Sequence, residues 1–151
     1  LVKRDTRAEM TEWEKLVKRY QFNPIVKNFD HWFNLQKAEG CDELVKGCID
    51  LLGLQNVYIL SAPVDSISAD AKRAWLEKHL PLFPSERIFI RKDKEAIPVM
   101  DMFQQSQCIL IDDREKYKLK FEAVGGVGII HSPPTSLEGT FNSLKQIQRI
   151  I

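Results

Sequence analysis

Residues able to do chemistry stand at the ends of short apolar runs in this chain. Ser61 follows Val57-Tyr58-Ile59-Leu60, and Arg91, Lys92, Asp93 and Lys94 follow Ile88-Phe89-Ile90. Asp112 and Asp113 follow Cys108-Ile109-Leu110-Ile111. If these runs are strands of one open parallel sheet, their following residues gather beyond its carboxyl edge, where such sheets bind ligands. A serine hydroxyl and neighbouring backbone N–H groups can hold phosphate oxygens, and a lysine neutralises charge building on a transferring phosphoryl group. Hard carboxylates suit Mg2+, which takes oxygen ligands and few protein contacts. Adjacent acids at a strand end repel each other unless a cation or basic group lies between them. Each element alone has a plainer reading: a turn serine, a solvated lysine in an RKDK stretch, an Asp-Asp turn or helix cap. Their order and shared placement carry the signal.

Other chemistries find less support. His31, His79 and His131 show neither HxxxH nor HExxH spacing, which argues against a zinc hydrolase. Cys41, Cys48 and Cys108 form no CxxC, so neither a zinc site nor a disulfide framework is expected. A Cys–His nucleophile pair stays open, although no cysteine stands at a strand end. Gly125-Gly126-Val127-Gly128 lacks the GK[ST] ending of a phosphate-binding loop and reads as a tight turn into a strand.

The elements that must position these residues follow from periodicity. Met10, Trp13, Leu16, Val17 and Tyr20 recur at helical spacing. Segment 22–33 is aromatic and broken by Asn23-Pro24; Phe22, Phe29, Trp32 and Phe33 predict a small helical lobe. Leu44, Val45, Cys48, Leu51 and Leu52 form one helical face that ends near Gly53. Helices are further predicted over 68–80, 98–105 and 115–124, and from Leu137 to the end. Strands are predicted at the three apolar runs and at Val127-Gly128-Ile129-Ile130. Short, wholly apolar strands alternating with helices imply a parallel sheet covered on both faces. The expected fold is therefore a three-layer α/β sandwich with Rossmann-like connectivity. Residues 1–38 would form a cap-like helical segment and 39–151 the α/β core.

With 151 residues, 44% hydrophobic and 28% charged, the chain has an ordinary globular composition and can bury a substantial core. A net charge of +1 supplies no strong field toward nucleic acid or an anionic membrane surface. No apolar run approaches the roughly 20 residues of a membrane span, and no signal peptide is visible at the start. Unpatterned cysteines fit a reducing, cytoplasmic setting.

The runs ILSAP, AKRAWLEKHLP, RKDK, ILIDDR and GGVGIIH together resemble the 5'(3')-deoxyribonucleotidase branch of the haloacid dehalogenase superfamily, from about residue 38 onward. The tightest stretches are 57–63, 71–81 and 109–114. By position, the resemblance implies that Ser61 holds the phosphate with help from the Ala62 N–H. Lys94 would steady nucleophile and phosphate, with Lys92 as the competing choice, and Asp112 and Asp113 would supply the Mg2+ carboxylate. The aromatic lobe would correspond to the family's cap, where Phe22, Phe29, Trp32 or Phe33 either stack on a base or fill the cap's own core. The implied substrate is a small phosphomonoester, a nucleoside or deoxynucleoside monophosphate.

One part of that pattern is absent. The family begins with a strand and Asp-x-Asp-Gly-Thr/Val, whose first Asp is the nucleophile; Asp5 and Asp30 follow no apolar strand. Leu1-Val2 resembles the residues just after that motif, so the sequence is expected to start immediately downstream of it, without the family's central first strand. Two functions follow as expectations. One is a Mg2+-dependent phosphatase whose strand and Asp come from an upstream peptide or a partner chain. The other is a catalytically inactive binding or assembly module, since fold does not fix function.

Overall fold

The computed structural model describes residues 28–151. The helix expected around 10–20 and the aromatic Phe22 lie outside them. In chain order the described elements are α1 (Phe29–Phe33), α2 (Cys41–Leu52), β1 (Ile59–Ser61), α3 (Ser66–His79), β2 (Ile88–Ile90), β3 (Ile109–Asp112), α4 (Glu115–Ala123), β4 (Val127–Ile130) and α5 (Leu137–Ile150). The class is mixed α/β, with short parallel strands and five helices among the described residues. These residues divide into two compact units, 28–35 with 63–80, and 36–62 with 81–151.

In the first unit α1 packs on α3. The start of α3 is fixed by a reciprocal cap. The Asp65 carboxylate accepts from the Ser68 N–H at 2.8 Å, and the Ser68 hydroxyl accepts from the Asp65 N–H at 3.0 Å. Capping moves the helix start to Ser66, ahead of the predicted 68. Trp75 Nε1 donates to the Leu35 carbonyl at 2.8 Å. Lys72 lies over the Trp32 ring at 4.7 Å and Lys78 over the Phe33 ring at 5.2 Å. The Phe29 and Phe33 rings stack 5.7 Å apart. Trp32 and Phe33 are half-buried, whereas Phe29 is 38% exposed.

The second unit holds the strands. β1 pairs in parallel with β2, and β3 pairs in parallel with β4, as two separate two-stranded sheets. Alternate residues of β3 enter different cores, as the period of a strand requires. Leu110 joins Ile97, Phe103, Tyr117 and Phe121, against which Leu60 of β1 and Phe89 of β2 also pack. Ile109 and Ile111 instead pack against Cys48 of α2, Ile129 of β4 and Ile147 of α5. Both ladders run past the strand ends. The Arg91 N–H donates to the Ser61 carbonyl at 2.9 Å, and the His131 N–H to the Asp112 carbonyl at 2.8 Å.

The helix predicted over 98–105 is not formed. A single 3-10 turn at Asp101–Phe103 stands in its place, after another at Lys94–Ala96. Across 97–106 only Ile97 and Phe103 are buried, a spacing that does not make one helical face. The first strand begins at Ile59 rather than Val57. Among the described residues, no helix is long and apolar enough to cross a membrane.

Gly40 is required where α2 begins. Its φ is +86°, its carbonyl accepts from the buried Thr140 hydroxyl at 3.0 Å, and an added Cβ would meet that hydroxyl and the Ser136 carbonyl. Gly40→Ala is therefore expected to cost about 2–3 kcal/mol, from left-handed strain plus a displaced buried hydrogen bond. Gly125→Ala is the control: φ is +96° but nothing lies within 4 Å of an added Cβ, so only the backbone strain of about 1 kcal/mol applies. Urea midpoints of the two variants check the difference; equal losses would remove the Thr140 contact from the account.

Candidate active site

The carboxyl end of β3 places Asp112 inside the protein and Asp113 outside. Strand alternation does this: Leu110 and Asp112 face one way, and the chain turns at Asp113 before α4 begins at Glu115. Asp112 is 8% exposed and both its oxygens are engaged. Oδ2 receives Lys94 Nζ at 2.5 Å, and Oδ1 accepts the Arg114 N–H at 2.9 Å. Asp113 is exposed.

Lys94 reaches Asp112 from the turn after β2. It is 7% exposed, an unusual position for a lysine, and it is paired there with a carboxylate. Its ammonium also lies 4.3 Å from the centre of the Tyr117 ring. Lys92, the competing residue, is exposed. Between the two lysines, Arg91 holds Asp93 through hydrogen bonds of 2.8 and 2.9 Å, and this hydrogen bonding sets the Asp93 carboxyl below its usual range. Asp93 is thereby directed at Arg91, while Lys94 alone of the RKDK stretch turns inward.

Ser61 ends β1, half-buried, opposite Ile90 in the ladder. Its carbonyl binds the Arg91 N–H, which ties it by backbone to the turn that carries Lys94. Ala62 packs on the cluster that contains Tyr117. Lys94 and Asp112 are thus in direct side-chain contact. Ser61 and Ala62 join them through the β2 ladder and the common apolar cluster, and Asp113 joins by chain adjacency.

Three residues without a sequence-assigned role at this site belong to this region. Tyr117, on the first turns of α4, lies beneath Lys94. His131 follows β4, and its Nδ1 lies 2.8 Å from the hydroxyl of the fully buried Ser143 on α5. Arg114 places its guanidinium carbon 5.5 Å from the Tyr117 ring centre. A tyrosine five positions past a strand-end acid was the available signal for the first. Nothing local marks His131, because Ser143 is twelve residues away on another element.

As a Mg2+ site the set is a partial fit. The cation needs only one or two carboxylates, with water and phosphate oxygens completing its shell. Asp113 offers an exposed carboxylate, whereas Asp112 is already used by Lys94 and Arg114. Among the described residues, no three His, Cys, Asp or Glu side chains group as a metal site. Burial pushes the Cys48 thiol up to about 11 and raises those of Cys41 and Cys108, which leaves none of them a ready thiolate nucleophile at neutral pH. Comparison with protein-family models, with curated proteins and with solved structures found no match.

Proposed function

We propose that the unit bearing β1–β4 is a phosphomonoesterase domain of the haloacid dehalogenase type, acting with Mg2+ on nucleoside or deoxynucleoside monophosphates. The observation that carries the reading is the buried Lys94–Asp112 pair. Keeping two charges out of water costs several kcal/mol per ion before their attraction repays it. Such an arrangement at a strand end, beside a serine-ended strand and an exposed second acid, suits a site that must hold and neutralise a phosphoryl group. Lys94 then has the anion-steadying role rather than Lys92. Ser61 and the Ala62 N–H bind phosphate oxygens, and Asp113 is the carboxylate that would hold Mg2+. The metal, when bound, offsets charge between the incoming nucleophile and the phosphate.

The three-layer sandwich belongs to the same proposal. Leu110 faces a core shared with α4, and Ile109 and Ile111 face one shared with α2 and α5. β1 and β3 pack on one cluster yet belong to different two-stranded sheets. Ile59, Leu60, Ile109 and Ile111, all apolar, stay only partly buried. A strand inserted between β1 and β3 would complete both ladders, and on this reading it carries the aspartate that forms the aspartyl-phosphate.

A second reading has its own support: Asp112 is fully engaged by Lys94 and the Arg114 N–H, which suits a binding or assembly module without turnover. Phosphate release from nucleoside 5'- and 3'-monophosphates decides between them. The assay uses the chain carrying an added apolar strand that ends in Asp-x-Asp-Gly, with Mg2+ and with EDTA. Mg2+-dependent release is the expected result. A folded, strand-completed protein with no release would leave the module.

A further inference from the structure

Three cations surround one buried ring. Lys94 Nζ lies 4.3 Å, Lys116 Nζ 4.8 Å and the Arg114 guanidinium carbon 5.5 Å from the centre of Tyr117. The Tyr117 side chain is 9% exposed and sits in the cluster of Ile97, Phe103, Leu110 and Phe121, so its ring is held by packing on several sides. Lys94 is equally buried. An ammonium so placed has lost most of its water, and a single carboxylate satisfies only part of a group with three N–H donors. Among the described residues, the negative face of an aromatic ring is the remaining attraction within reach, and it acts most strongly where water is excluded.

We infer that Tyr117 is a positioning residue whose ring seats the Lys94 ammonium against Asp112, and so fixes where the positive charge of this site stands. The seat follows from the geometry of Lys94, Asp112 and Tyr117. Its service to a phosphoryl group rests on the proposed function. Without the ring, the flexible four-carbon stem of Lys94 has, among the described residues, only Asp112 to orient it, and the ammonium is free to swing toward solvent. The neighbouring Lys116 and Arg114 draw on the same ring and concentrate positive charge at the same place. The hydroxyl of Tyr117 has no part in this, so a phenylalanine should do as well.

The test places phenylalanine, 3,5-difluorophenylalanine and 3,4,5-trifluorophenylalanine at position 117 of the full chain. Fluorination drains the ring face while nearly conserving volume and burial, so a residue that merely fills the core gives a flat series. The readout is the acetylation rate of Lys94 under trace labelling, followed by peptide mass spectrometry, with exposed Lys92 as internal standard. Tyr117→Phe should match the wild-type rate, and the rate should climb by about tenfold in graded steps to the trifluoro variant. A flat series at equal unfolding midpoints overturns the inference. So does a Tyr117→Phe variant that behaves like the trifluoro one. Orthophosphate affinity, measured on the same proteins, should weaken in step with the labelling rate. A graded labelling series with no orthophosphate binding in any variant supports the seat and counts against the phosphatase reading.

Discussion

Lys94→Met is expected to destabilise the protein by about 3–5 kcal/mol, whereas Lys94→Met combined with Asp112→Leu recovers most of that loss. The single change leaves the Asp112 carboxylate buried with only the Arg114 N–H for company, and an uncompensated buried charge is what makes breaking such pairs costly. The double change removes both charges and offers apolar volume to a region already lined by Leu110 and Tyr117. Lys92→Met, at an exposed position, should change stability by no more than about 0.5 kcal/mol. Urea unfolding, with midpoints compared at unchanged slope, checks all three. If single and double variants fall equally, Lys94 contributes packing rather than charge pairing, and the buried pair no longer supports a phosphoryl site.

The two neighbouring acids should separate when each is made neutral. On the proposed function, Asp113→Asn in the strand-completed protein should lower Mg2+-dependent phosphate release by about 10²–10³-fold, because a metal supplies several kcal/mol of transition-state charge stabilisation. Its unfolding midpoint should stay within about 0.5 kcal/mol of the parent, since Asp113 is exposed and away from the core. Asp112→Asn should lose both activity and stability, because the buried Lys94 ammonium then faces a neutral amide. Release rates measured over a Mg2+ titration, alongside urea curves, separate the cases. An Asp113→Asn enzyme with full turnover at the same Mg2+ requirement would remove that residue from the metal site.

These predictions differ for adjacent residues only because the fold treats them differently. In sequence, Asp112 and Asp113 are equivalent candidates, and Lys92 competes with Lys94, which the family resemblance favours. The ILIDDR and RKDK runs place them at strand ends and say no more. Strand geometry buries the first acid and exposes the second, and the single 3-10 turn at Lys94–Ala96 turns Lys94 inward while Lys92 stays in water.

Much of the local architecture was legible from residue types. The apolar runs at Ile88-Phe89-Ile90 and Val127-Gly128-Ile129-Ile130 became β2 and β4. Leu44, Cys48, Leu51 and Leu52 marked the inward face of α2, and Gly53 ended it with φ of +86°. These signals are local: a strand alternates every second residue, a helix returns to one face every third or fourth, and a glycine or cap stops it within one turn. The stretch 98–105 misled because its apolar residues suggested a helix, while burial selects only Ile97 and Phe103. Which charges meet, and on what ring, was settled by tertiary structure alone. Lys94 and Asp112 are eighteen residues apart, and Tyr117 reaches them from a third element. No spacing rule encodes such a contact, because it exists only once two parallel ladders and a helix have packed on the same core.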